Sequence, residues 1–156
     1  MAANHREIFL IVYNSPLFPA HWAIFIPTTA NHDLGKVIHA TGDVLNGFAL
    51  EFKRGYDLSA TSRKKTLIPL CTVDSKYVID GPADRSTDQK PIDHIESIAA
   101  TIPAPGKTLK AAKSADAAKV QLQNCQTWLK KVVEALIAAG IFPAEALTVI
   151  DGAPKN

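Results

Sequence analysis

Residues 7–13, Glu-Ile-Phe-Leu-Ile-Val-Tyr, form a nearly unbroken apolar run rich in β-branched and aromatic side chains. A half-buried strand alternates apolar with polar, so a run that is apolar at both parities reads as a central strand of a sheet. The chain then repeats the strand signal. Asn14, Ser15, Pro16 and Pro19 break the first run. Residues 21–26 (HWAIFI) predict a second strand, closed by Pro27 and a polar loop over 28–35. Residues 36–41 (KVIHAT) predict a third, ended by Gly42 and Asp43, and residues 48–52 (FALEF) and 67–73 (LIPLCTV) a fourth and fifth. Pro69 has no N–H for a ladder, so the fifth is expected at an edge or with a bulge.

Past residue 80 the pattern changes. Residues 81–90 (GPADRSTDQK) read as a polar loop. Residues 91–102 (PIDHIESIAATI) read as a helix, with proline in the first turn, acids early, and Ile92, Ile95, Ile98, Ala99 and Ile102 at three-and-four spacing. Residues 103–106 (PAPG) stop it, residues 107–119 form an Ala/Lys-rich connector, and Val120 and Leu122 suggest a short extended lead-in. The strongest helical signal spans 125–139. There Trp128, Leu129, Val132, Val133, Leu136 and Ile137 make one stripe, Asn124 is a good N-cap type, and Gly140 is a natural C′ residue.

The expected architecture is one α+β domain over residues 1–156, strand-rich over 6–80, with a polar loop over 81–90 and helical over 91–156. An antiparallel sheet of about five or six strands packs against a C-terminal helix with a cysteine at its N-terminus, joined by one additional helix from Pro91.

Composition narrows the function classes. With 47% apolar and 21% charged residues the chain reads as an ordinary globular protein. Its 17 basic residues are scattered among 15 acidic ones, and the densest basic cluster, Arg63-Lys64-Lys65, has no aromatic interleaving, which argues against nucleic acid as a partner. Residues 1–14 lack a basic n-region and a small-residue cleavage site, so no signal peptide is expected. No apolar stretch approaches the roughly 18 to 20 residues that span a bilayer, so no integral membrane association is expected. Cys71 and Cys125 do not form a metal-type spacing, and a reducing, cytoplasmic setting suits them best.

Cys125 is the one cysteine that sits where a helix should begin. Helix N-termini point unpaired amide N–H groups and a partial positive charge outward, which favours thiolate over thiol and can cradle an oxyanion. His21 and His39 lie on neighbouring strand segments. An antiparallel hairpin that places them directly opposite leaves a turn centred on Ala30 and projects both rings on one face, with Ala23 and Phe25 beside His21. The three residues would then make a Cys–His–polar constellation for nucleophilic catalysis. Plainer readings stand beside it. Cys125 can be a core residue and the histidines satisfied core or surface residues, or the three can be ligands of a zinc site that lacks an obvious fourth. Cys71, mid-strand beside Leu70, reads as structural. His5, His32 and His94 fall on a terminus, a loop and a helix, with no partner visible.

The segments His21-Trp22-Ala23-Ile24-Phe25-Ile26, Val37-Ile38-His39 and Asn124-Cys125-Gln126 followed by an aromatic resemble the circularly permuted papain-like fold. The likeness is to the lecithin retinol acyltransferase-like branch of the NlpC-type superfamily, whose segments read HWAIYV, V-[VI]-H and N-C-E-H-F. It covers three catalytic segments in the same order. The fold also hosts thiol peptidases and PPPDE-like isopeptidases, so substrate is less specified than fold. The resemblance implies Cys125 as nucleophile, His21 as general base and His39 as the orienting third member. Asn124 and Gln126 are candidate auxiliary donors to an oxyanion hole. It implies a hydrolase or acyltransferase acting on an amide or ester acyl group of a small molecule or peptide, with no metal or organic cofactor. A non-catalytic binding or assembly module on the same fold is the competing expectation. Gln126-Thr127-Trp128 departs from Glu-His-aromatic, the loop between the histidine strands is longer, and residues 147–150 form only a short apolar patch before a polar tail. These departures argue against a membrane phospholipid as substrate.

Overall fold

The computed structural model describes residues 4–14, 20–43, 47–60, 64–82, 84–104 and 125–155. The strands are β1 His5–Tyr13, β2 His21–Pro27, β3 Leu34–Asp43, β4 Gly47–Asp57, β5 Thr66–Asp74 and β6 Ser86–Asp88. The helices are α1 His94–Thr101, α2 Cys125–Ala138 and α3 Glu145–Gly152. The strands form one antiparallel sheet in the order β5-β1-β2-β3-β4-β6. The class is α+β, as expected.

β1 is central because both of its faces are buried. Ile8, Leu10 and Val12 join the main core beneath the helices, with Trp22, Ile24, Ile26, Ile38 and Phe52 from the neighbouring strands. Ile11 and Tyr13 point the other way, into a second cluster with Ala23, Phe25, Val37, Tyr56 and Leu58. β5 lies at an edge, and its register with β1 jumps from Ile8↔Cys71 to Phe9↔Pro69. Both behaviours expected of a proline-bearing strand occur together: the edge tolerates the missing N–H, and the bulge absorbs Leu70 beside it.

α2 carries the largest apolar face onto the sheet. Trp128, Leu129, Val132, Val133 and Leu136 are all at most 1% exposed. Gly140 ends the helix with φ 77°, a left-handed value that a Cβ would disfavour, and the N–H of Ile141 returns to the carbonyl of Leu136 at 3.0 Å.

Several boundaries differ from the sequence reading. α1 begins at His94 and not at Pro91, because Asp93 is its N-cap and accepts from the Glu96 N–H at 2.8 Å. Glu96 in turn accepts from the Ile92 N–H at 3.0 Å, a reciprocal cap close to the capping box. β6 lies inside the expected polar loop, held by backbone pairing to Phe52, Lys53 and Arg54 with all three of its side chains exposed. α3 occupies the apolar patch near the C-terminus, burying Ala146 and Ile150 at helical spacing. The connector and lead-in expected over 107–122 lie outside the described residues.

A charged cluster lies under α1. Lys36 of β3 donates to Asp93, to Glu96 Oε2 at 2.9 Å and to the Ile79 carbonyl at 2.9 Å. Arg54 of β4 grips Glu96 through both guanidinium nitrogens, the Nη2–Oε1 contact being 2.9 Å, and also reaches the Lys90 carbonyl at 3.1 Å. All four side chains are buried. Two cations face two carboxylates, so the cluster is neutral, and backbone groups satisfy the remaining lone pairs and protons. No helix among the described residues is long and apolar enough to cross a membrane.

Candidate active site

His21 is the first residue of β2 and His39 lies in the middle of β3. The ladder pairs Ile24 with Ile38, two residues away from the register that would set the histidines directly opposite. An even slip leaves both side chains on the same face and makes them diagonal neighbours. The connecting loop explains the difference. Thr28 Oγ1 donates to the Asn31 carbonyl at 2.9 Å and accepts from its N–H at 3.0 Å, while the Thr28 N–H reaches the Leu34 carbonyl at 2.8 Å. That closure moves the turn centre past Ala30 to Asn31.

The diagonal brings the rings together. His21 Nε2 lies 2.8 Å from His39 Nδ1, with ring centroids 5.0 Å apart and planes crossing at 72°. On its far side His39 Nε2 lies 3.1 Å from Glu51 Oε1. Glu51 is the direct partner of His39 across the β3–β4 ladder. His39 is buried, and the Glu51 side chain is 30% exposed. Tyr13, paired with His21 across the β1–β2 ladder, stacks on it at 5.9 Å and hydrogen-bonds through its hydroxyl to Tyr56 at 2.7 Å. Glu51 was missed in the sequence. Its signal is the short β3–β4 connection: pairing Asp43 with Gly47 places residue 51 opposite residue 39.

Cys125 opens α2 and is 6% exposed. Its Sγ lies 3.8 Å from the carbonyl oxygen of Ala20, the residue immediately before His21. The helix start is clamped to this point. Gln126 Nε2 donates to the Ala20 carbonyl at 2.8 Å and to the Lys155 carbonyl at 2.9 Å, and the Ala20 N–H also reaches Lys155 at 2.9 Å. Trp22 Nε1 ties the tail again through the Pro154 carbonyl at 2.9 Å. The helices cover the face of the sheet that carries Trp22, Ile24 and Ile26, and the start of α2 meets the start of β2 at the Ala20 carbonyl.

Of the two expected auxiliary residues, Gln126 is thereby located. Gln126 donates through its amide to two backbone carbonyls, which fixes the side chain at the start of α2. Asn124 lies outside the described residues. Cys71 is half-buried on β5, and burial pushes its thiol up to about 12. Among the described residues no group of three or more His, Cys, Asp and Glu side chains is placed to hold a metal ion.

The architecture is therefore an α+β sheet protein with a hydrogen-bonded His–His–Glu chain on its strands and a helix-opening cysteine that touches the carbonyl preceding His21. A family model described as a family of unknown function, DUF6540, matches residues 8–143, and the chain belongs to that family. No curated protein and no solved structure matches it.

Proposed function

We propose that this protein is a thiol-dependent hydrolase or acyltransferase on a permuted papain-like fold, with Cys125 as nucleophile, His21 as general base and His39 as its orienter. The observation that carries the reading is the 2.8 Å contact between His21 and His39, one residue along the chain from the carbonyl that Cys125 touches. His21 takes the thiol proton as the sulfur attacks the acyl carbonyl. The tetrahedral oxyanion faces the backbone N–H groups that open α2. On collapse the acyl–heteroatom bond breaks and His21 returns the proton to the departing amine or alcohol. The thioester on Cys125 then passes its acyl group to water or to a second acceptor, with His21 deprotonating the incoming nucleophile. The substrate is a small molecule or peptide bearing an amide or ester. Two free thiols suit a reducing cytoplasm.

The 6% exposure of Cys125 favours a second reading, a binding or assembly module in which the thiol is simply packed. Alkylation separates the two. With iodoacetamide at neutral pH, mass-mapped adducts should accumulate on Cys125 well ahead of Cys71, and an acyl-ester surrogate should leave a thioester on Cys125. Labelling of Cys71 first, or an inert Cys125, leaves the module as the answer.

A further inference from the structure

We infer that Glu51 is a positioning residue that sets the tautomer of both histidines and so selects His21 Nδ1 as the base nitrogen. The inference rests on the thiol-chemistry reading and adds to it a residue and a proton assignment. A carboxylate only accepts hydrogen bonds, so the 3.1 Å contact from Glu51 Oε1 requires the proton of His39 to sit on Nε2. A neutral His39 then presents a lone pair on Nδ1. The ring nitrogen 2.8 Å away, His21 Nε2, must donate into it. Neutral His21 therefore holds its proton on Nε2 and its lone pair on Nδ1. One carboxylate at the end of the chain orients two rings.

Without Glu51 the chain could run in reverse. His39 would donate from Nδ1 into His21 Nε2, and the proton of His21 would move to Nδ1, where it cannot take one from a thiol. Tyr13 stacks on His21 at 5.9 Å. The direction also suits the reaction. Once His21 becomes imidazolium, its Nε2–H bond to His39 becomes charge-assisted, and the Glu51 carboxylate supports that charge through the intervening ring.

The test is spectroscopic first. In protein labelled with ¹⁵N-histidine, long-range ¹H–¹⁵N correlations at neutral pH should give both His21 and His39 as the Nε2–H tautomer, with assignments from His21→Ala and His39→Gln. A wild-type His39 protonated on Nδ1 overturns the inference without any variant. In Glu51→Gln, whose amide can accept or donate, His39 should become a mixture of tautomers, and the Cys125 alkylation rate should fall by about 10- to 100-fold. Glu51→Asp should recover the single tautomer and most of the rate. Unchanged tautomers in Glu51→Gln also overturn the inference. His21→Ala serves as the control that separates the two levels. If it slows Cys125 alkylation while Glu51→Gln does not, only the role of Glu51 fails; if His21→Ala has no effect on alkylation, the thiol–imidazole reading itself fails.

Discussion

His21 and His39 carry unequal loads in the proposed chemistry. His21 moves the proton, so His21→Ala should lower turnover of an acyl-ester surrogate by roughly a thousandfold or more. His39 only orients, and His39→Asn or His39→Gln should retain a measurable fraction, since an amide can still make one orienting hydrogen bond. Both variants should melt close to wild type, because neither ring belongs to the apolar clusters. Equal turnover in all three proteins would remove the triad from consideration, and a dead His39 variant beside an active His21 variant would reverse the roles. Cys71 makes a separate prediction at this scale. Its thiol is pushed up from 9.0 to about 12 by burial, so the folded protein holds the proton where the unfolded chain releases it. Its contribution is fully present below about pH 9 and is lost as pH rises toward 12. Thermal melts between pH 8 and 11 should therefore show a steeper loss for wild type than for Cys71→Ala. Parallel curves would mean that the thiol titrates normally.

α2 joins the site to the core, since the element that presents Cys125 also buries Trp128 three residues later. Trp128 is 1% exposed, and its indole N–H donates to the Ile102 carbonyl at 2.9 Å, tying α2 to the end of α1. Trp128→Ala should cost about 3 to 5 kcal/mol in a denaturant melt, the range for removing a buried aromatic side chain. Trp128→Phe keeps most of the packing and loses chiefly the hydrogen bond, so a smaller loss of about 1 to 2 kcal/mol is expected. A Trp128→Ala protein with an unchanged midpoint would mean that this face of α2 is not packed. α2 was legible because six apolar positions fall on one stripe and a glycine follows. α3 was harder to see. Only Ala146 and Ile150 of its eight residues are fully buried, so its periodic signal is two positions long. β6 had no apolar signal, because all three of its side chains are exposed and its sheet contacts are made by the backbone.

The whole molecule is held across its layers by the Lys36–Asp93–Glu96–Arg54 cluster, which links β3 and β4 to α1 and its cap. Removing one charge leaves an uncompensated ion inside. Lys36→Met should cost about 3 to 5 kcal/mol in a denaturant melt, although methionine is the more hydrophobic residue. The double variant Lys36→Met with Asp93→Asn should recover part of that loss, because it removes a charge of each sign. If Lys36→Met were neutral, the cluster would contribute nothing net. Nothing in residues 36, 54 or 96 taken singly announced this cluster. Each looks like an ordinary charged position on a half-polar element, and only the packing of α1 over β3 and β4 removes all of them from water.

The sequence by itself determined the elements that depend on local period and local chemistry. These are five of the six described strands, the apolar stripe and glycine stop of α2, the edge position of the strand bearing Pro69, and the common face of His21 and His39. That face survived a register slip of two because side chains alternate with period two. Tertiary structure decided which residue stands opposite which. It set His21 and His39 on a diagonal, supplied Glu51 as the end of their chain, spent Gln126 on two backbone carbonyls, and closed Lys36 and Arg54 over Glu96. Periodicity reports the side toward which a residue points. The partner it meets there comes from another part of the chain, through registers and helix placements that local pattern does not encode.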